Sequence, residues 1–315
     1  MATRQIISKS INVASGDYIG RDGEMWVDTV TNLLKISDGA TPGGVVITTD
    51  GDITSTWANI TDINNAAGPS KIAVGTSAGF TTQGIYSVAL GTGAGSNTQG
   101  TFAVAIGATA GQTTQSQYGI AIGNDAGNDT QGASSVAIGN SAGKTDQAAN
   151  AVAIGIEAGK TNQAMGGVSI GELTGVTNQG ASSIAIGYKS GFSEQSTQAV
   201  AIGKIAGEIS QGASGVAIGE FAGRTNQGGA AIAIGQLAGK TTQGSAAVAI
   251  GSYAGETSQA ANSIIINATG TTLNNIVEDV FIVKPVRGVA GAGLPAGFKQ
   301  VAYNPTTGEF IYYDA

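Results

Sequence analysis

The sequence predicts an all-β chain dominated by a parallel β-solenoid, a β-roll of stacked coils. Three observations carry that expectation. A sixteen-residue unit, approximately [VI]-A-[IVL]-G-x-x-A-G-x-x-x-Q-x-x-x-x, runs from Ile72 to Ser263 in twelve copies without insertion or deletion. Its opening tetrad, as in Val152-Ala153-Ile154-Gly155, alternates large and small residues, the period of two that belongs to a strand. Two glycines in every copy would cost a helix about 1 kcal/mol each. Unbroken spacing means that each copy makes the same contacts with the next, which defines a solenoid. At ~3.3 Å per residue one copy spans two short strands and two turns, and at ~4.8 Å per coil the rod would be roughly 55–60 Å long.

The elements follow in chain order. Residues 1–50 read as a small N-terminal β module. Glu24-Met25-Trp26-Val27 and Leu33-Leu34-Lys35-Ile36 are strand-like, Asp28-Thr29-Val30-Thr31-Asn32 is a turn, and Ser37 to Gly44 is a loop. Residues 51–71 are a polar linker or neck. The shaft occupies 72–270, including a decaying thirteenth copy at Ile264-Ile265-Ile266-Asn267. Residues 271–315 leave the repeat and must cap the last coil, because a bare end exposes strand edges. Within them Lys299–Tyr303 and Glu309–Tyr313 can pair as a hairpin through Asn304-Pro305-Thr306-Thr307-Gly308.

The tetrad has one face of β-branched residues and one of Ala with Gly. The expectation is that the Val/Ile pair fills the coil and that the nearly bare Ala/Gly face points outward, where another backbone can approach. One thin coil buries little apolar surface against the entropy of ordering its residues. Three chains, intertwined or packed side by side through those faces, are therefore expected as a homotrimer. The packing glycines would be Gly75, Gly91, Gly107, Gly123, Gly139, Gly155, Gly171, Gly187, Gly203, Gly219, Gly235 and Gly251.

The twelfth position is Gln throughout: Gln83, Gln99, Gln115, Gln131, Gln147, Gln163, Gln179, Gln195, Gln211, Gln227, Gln243 and Gln259. Identical amides ~4.8 Å apart in a parallel in-register stack can hydrogen-bond along the column, so a structural Gln ladder is expected. Variable positions, among them Tyr188, Lys189, Phe192, Phe221, Arg224 and Tyr253, should be exposed turns from which any side-on ligand contact would come.

Composition narrows the function. There is no Cys and no His in 315 residues, which excludes disulfides, Cys- or His-ligated metals and His-based triads. The net charge is −7, so a nucleic-acid partner is not expected. No apolar run approaches the ~20 residues of a membrane span, and no membrane insertion is expected. Met1-Ala2-Thr3-Arg4-Gln5 lacks the apolar region of a signal peptide, which predicts synthesis in a cytoplasm.

Several motifs have a plainer explanation in the repeat. Gly139-Asn140-Ser141-Ala142-Gly143-Lys144-Thr145 imitates a phosphate-binding loop but has three residues between its glycines where four are needed. Asn128-Asp129-Thr130 and Asn267-Ala268-Thr269 match the glycosylation pattern by chance. Asp125, Asp129 and Asp146 do not form the recurring Asp column of calcium-binding solenoids. Glu157 with Glu172, or Glu208 with Glu220, could approach as carboxylate pairs, yet nothing distinguishes them from surface charge. No enzyme activity, cofactor or metal is expected. The aromatic C-terminal end, Phe298, Tyr303, Phe310, Tyr312 and Tyr313, could fill a small cap core or stack on sugar rings of a receptor.

Val136-Ala137-Ile138-Gly139, preceded by Ser134-Ser135, is similar to the repeated motif of YadA-like adhesin heads. That resemblance covers 72–263 and implies a trimeric, left-handed parallel β-roll that binds a host surface. Trp26 to Gly44 resembles the N-terminal module of phage tail proteins of the tropism-determinant type, which implies attachment of this end to a tail or baseplate protein. Tyr303-Asn304-Pro305-Thr306-Thr307-Gly308-Glu309 is similar to the closing segment of marine-phage fibre proteins. Together these imply a trimeric tail fibre or spike in a virion, made in the host cytoplasm, whose distal C-terminal end meets a host glycan or protein. The alternatives are a purely structural baseplate or head fibre, and a bacterial surface adhesin.

Overall fold

The computed structural model describes residues 71–286 continuously, together with the strand residues 25–28, 33–36, 45–47, 300–304 and 309–313 and a few residues around Gly39. The chain divides into two units, Met1–Ile60 and Thr61–Ala315.

In the first unit Met25–Asp28, Leu33–Ile36 and Val45–Ile47 form an antiparallel sheet in chain order, with Trp26 opposite Lys35 and Leu34 opposite Ile47. The two predicted strands are present, and a third, from the Val-Val-Ile run, joins them.

The second unit is a parallel β-solenoid of sixteen-residue coils, here counted from coil 1 (residues 72–87) to coil 12 (248–263). Positions 1–3 of every coil form one strand of a 14-stranded parallel sheet. Partners are one repeat apart, as in Val136↔Val152, Ala137↔Ala153 and Ile138↔Ile154. A second parallel sheet runs through the Gln position, as in Gln163↔Gln179. It has a three-stranded block in coils 1–3 and an eight-stranded block in coils 5–12, joined by the bridges Gln115↔Gln131↔Gln147.

That division has a local cause at position 11. In coils 5–12 this residue is left-handed, from Asp146 (φ 52°) and Asn162 (φ 54°) to Ser258 (φ 54°). Asp and Asn tolerate that region, whereas β-branched residues resist it. Coils 1–4 carry Thr82, Thr98, Thr114 and Thr130 instead, and the first three of these remain in strands with their Gln. Thr242 alone among the threonines of this column is left-handed (φ 52°), held between Asn226 and Ser258 in the same column.

The tetrad faces the opposite way from the sequence expectation. Ala at position 2 is the inward residue: Ala89, Ala105, Ala121, Ala137 and Ala153 are fully buried. The inner face is completed by position 7, as Ala94 and Ala110, by the Gln column and by small residues at position 16, such as Ser135 and Ala151. Val at position 1 and Ile at position 3 point outward and are half-buried to exposed. The Gln side chains decide this. Each crosses the narrow interior to reach the opposite strand, and the space beside it admits only methyl-sized groups.

The invariant glycines are also explained within one chain. A Cβ on Gly155 (φ 131°) would stand 2.3 Å from the carbonyl oxygen of Gly171 in the next coil. A Cβ on Gly159 (φ 53°) would stand 2.6 Å from Oε1 of Gln163 in its own coil. The first glycine permits coil-on-coil stacking and the second makes room for the amide.

The interior has two apolar stretches, one from Ala73 to Ala158 and one from Ala201 to Ile265. Between them Ser169, Thr174 and Ser190 replace alanines, fully buried. Their hydroxyls donate to Gln179 Oε1 (2.6 Å), the Gly187 carbonyl (2.6 Å) and the Ala201 carbonyl (2.7 Å), so no donor is left without an acceptor.

The rod closes at Ile264–Asn267, where Ile265 replaces the inward Ala, fully buried against Leu273 and Ile282. Asn267 donates to the carbonyls of Ser252 (2.9 Å) and Thr271 (2.7 Å). The sheet then continues beyond residue 270, because Phe281–Lys284 adds a further parallel strand with Ile264↔Phe281 and Ile266↔Val283. The predicted hairpin is present as Gln300–Asn304 paired with Glu309–Tyr313.

Candidate interaction surface

The surface is best read column by column, since each repeat position makes a line parallel to the rod. The inner Gln column is structural. Gln163 Nε2 donates to the Val152 carbonyl (2.8 Å), the Gly167 carbonyl (3.1 Å) and Gln179 Oε1 (2.9 Å). The same link runs from Gln99 through Gln115 and onward to Gln259. Gln83 donates to the Ile72 carbonyl, and Gln99 Oε1 is the one buried side-chain polar atom without a partner among the described residues. The chain of amides therefore starts at Gln99. Buried and, apart from Gln99 Oε1, hydrogen-bonded along its length, it offers no accessible group to a ligand.

The outward columns at positions 1 and 3 form a continuous apolar face. Val136, Val152 and Val168 run along one line and Ile138, Ile154 and Ile170 along the other. Ile154, Ile234 and Ile250 are 36–38 % exposed. At ~4.8 Å per strand this face is about 60 Å long, and a strip ~10 Å wide would cover roughly 600 Å², at the upper end of the ~300–600 Å² patch that a typical monomer shows.

The turn columns carry most of the charge and the aromatic rings. Arg224 Nε bonds Glu208 at 2.7 Å, Lys204 bonds Glu220 at 3.0 Å, Lys160 bonds Glu157 at 3.1 Å and Lys240 bonds Glu256 at 3.3 Å. The carboxylates singled out as hydrolytic candidates at 157, 208 and 220 are thus each held by a cation. The Lys204 ammonium holds the Glu220 carboxyl below its ordinary range. Asp125 is likewise lowered, first by the hydroxyl of Thr109 and then by Lys144 at 2.9 Å. Among the described residues no group of acidic side chains could hold a metal ion. Of the turn positions named from sequence, Tyr188 is exposed while Phe192 and Phe221 are half-buried. Lys189 stands over the Tyr188 and Phe192 rings, and Lys204 and Arg224 over Phe221, at 5.6–5.7 Å.

Sequence reasoning passed over an aromatic ladder at position 15. Tyr86 stacks on Phe102 with ring centroids 5.0 Å apart, and Phe102 on Tyr118 at 5.3 Å. The signal was present as aromatics one repeat apart in coils 1–3. Of the proposed C-terminal receptor residues, Tyr303 pairs with Phe310, Val301 with Tyr312 and Gln300 with Tyr313 in the hairpin. Phe298 lies outside the described residues.

Comparison with protein-family models finds no match. Neither a curated protein nor a solved structure matches the chain. The class defined by fold and surface is a parallel β-solenoid rod with a saturated polar spine and an uncovered apolar side.

Proposed function

We propose that this chain is the rod-forming subunit of a trimeric fibre or spike of a phage tail, with sister chains packed through the Val/Ile face. The observation that carries the reading is the continuous outward line of β-branched residues from coil 1 to the cap. In a trimer each strip of roughly 600 Å² is shared between two neighbours, so the three strips bury about 1,800 Å² in all, about 600 Å² per pair, and each chain is held by two such contacts together. Alanine, first assigned to that interface, points into the coil, and the half-buried glycines beside it are explained by stacking on the next coil, so the packing is reassigned to Val136, Ile138, Val152, Ile154 and their counterparts. The N-terminal sheet is assigned to attachment on a tail or baseplate protein, from its likeness to tropism-determinant-type modules. The C-terminal end is assigned to a host glycan or protein, engaged weakly by each chain and more tightly by three chains together.

Light scattering on the full chain tests the assembly, with a mass of three times 30.9 kDa expected. A glycan array and a host-cell binding assay test the tip. A monodisperse monomer would sink the fibre reading. A second reading, a structural virion spacer that touches no receptor, is favoured by the flank charges, whose cations at 144, 160, 204, 224 and 240 are all paired within the chain. A trimer without any binding would favour it.

A further inference from the structure

A self-associating face built from twelve equal repeats has a defect of its own. If one chain slides by one coil, ~4.8 Å, almost every Val and Ile finds an equivalent neighbour, so the apolar face alone does not fix the axial register. The slip problem is the one that faces any featureless strand pairing. Something that is not repeated must break the degeneracy.

The aromatic ladder of coils 1–3 is such a feature. Tyr86, Phe102 and Tyr118 are 44–51 % exposed, and the same column in later coils holds Ser134, Asn150, Gly166, Ser182 and Ala246. The rings are not there for the turn. Phe102 is the third residue of a turn closed by the Ala103 amide on the Gly100 carbonyl at 3.2 Å. Its φ is 59°, a conformation that bulky side chains disfavour. Later coils make the same turn with Ser, Asn, Gly and Ala and, once, with Gln198 (φ 59°), none of them aromatic. The three rings thus occupy a conformation that costs energy, lie half in solvent, and are held rigid by stacking at interplanar angles of 13° and 4°. The column is the last exposed one before the outward strand, two residues ahead of Val88, Val104 and Ile120, so it borders the apolar face and widens it over three coils only.

We propose that this ladder is the register key of the assembly: it docks against a second copy of this chain and fixes the copies level with one another. The proposal rests on the self-association reading above. Slipping by one coil would leave a ring facing Ser134 or the region before coil 1, while the Val/Ile contacts stay nearly the same. The rings therefore select the in-register arrangement without supplying most of the affinity.

The chain has no cysteine, which allows a direct test. Two full-length versions, Ile154→Cys and Ile186→Cys, are co-expressed and oxidised. The two sites are two coils apart, about 9.6 Å along the rod and beyond the ~7 Å Cα limit for a disulfide. Level chains give only like-with-like cross-links, and slipped chains give mixed ones, read by mass spectrometry of the linked peptides. The native ladder is expected to give like-with-like links alone. With Tyr86→Ser, Phe102→Ser and Tyr118→Ser together, the mass by light scattering is expected to stay the same while mixed links appear in comparable amount. Like-with-like links alone in the ladder-free chain would overturn the register key. So would a ladder-free chain that no longer folds by circular dichroism, since the rings would then belong to the coil. An unaltered chain that stays monomeric would instead overturn the self-association reading.

Discussion

The side-chain amide of Gln163 donates to Oε1 of Gln179 at 2.9 Å, and the same nitrogen donates to the Val152 carbonyl across the coil at 2.8 Å. One residue thereby ties two coils together and the two walls of its own coil. Replacing it with Leu keeps the bulk but leaves Gln147 Nε2 without its Oε1 acceptor and strips a buried carbonyl. Each buried orphan costs about 1–3 kcal/mol. Gln163→Leu is expected to destabilise by roughly 2–4 kcal/mol, read by thermal or denaturant melting. A change below about 0.5 kcal/mol would mean that the spine contributes little.

The two kinds of glycine should respond differently to substitution. At Gly155 a methyl group meets the Gly171 carbonyl at 2.3 Å, and φ is 131°. Gly155→Ala is expected to lower the melting temperature by many degrees or to prevent folding. At Gly166 the nearest atom is Ser182 Oγ at 3.7 Å, and φ is 66°. Ala230 and Ala246 already occupy the same column at φ 55° and 54°, so Gly166→Ala should change stability by about 1 kcal/mol or less. Equal effects at the two sites would contradict the stacking account.

Outward and inward residues of one strand should separate assembly from folding. Replacing Ile138, Ile154 and Ile170 together by Ser is expected to keep the β-rich circular dichroism spectrum and abolish the proposed trimer in light scattering. Ala153→Ile is instead expected to lower the melting temperature of the coil itself, since overpacking a filled interior typically costs about 1–3 kcal/mol. A trimer that survives the Ser triple would place its interface elsewhere.

Asp125 gives the molecule a small acid sensitivity. Its folded pKa lies below the unfolded value, because the Thr109 hydroxyl and the Lys144 ammonium favour the charged form. The stability it adds is present above the ordinary value of 3.8 and is lost as pH falls through the lower folded value. The group is near the surface, so the contribution at neutral pH stays under about 1 kcal/mol. The stability gap between the native chain and Asp125→Asn should therefore narrow from pH 7 to pH 2. A gap that widens instead would refute the assignment.

Much of the fold was legible because the repeat is strict. Coil length, the strand at the tetrad, the in-register stack and the Gln column follow from spacing alone. What spacing leaves open is which side of an alternating strand is inside: Val152-Ala153-Ile154 alternates equally well either way. The tie is broken by the reach of Gln163 across the coil, a tertiary fact. The left-handed turn at Asp146 but not at Thr130 was readable from residue type, though only once that position was known to be a bend. The ladder at Tyr86, Phe102 and Tyr118 was open to view as a sixteen-residue recurrence of rings, yet the aromatic C-terminal end drew the reading away from it.

Because each coil hands its successor the same hydrogen bonds and the same methyl groups, reach becomes a matter of counting. Gaining or losing one whole unit in frame would change the span by ~4.8 Å and leave every remaining junction as it was. A lineage under pressure to reach farther or less far can adjust in steps of a single coil, without redesigning either end.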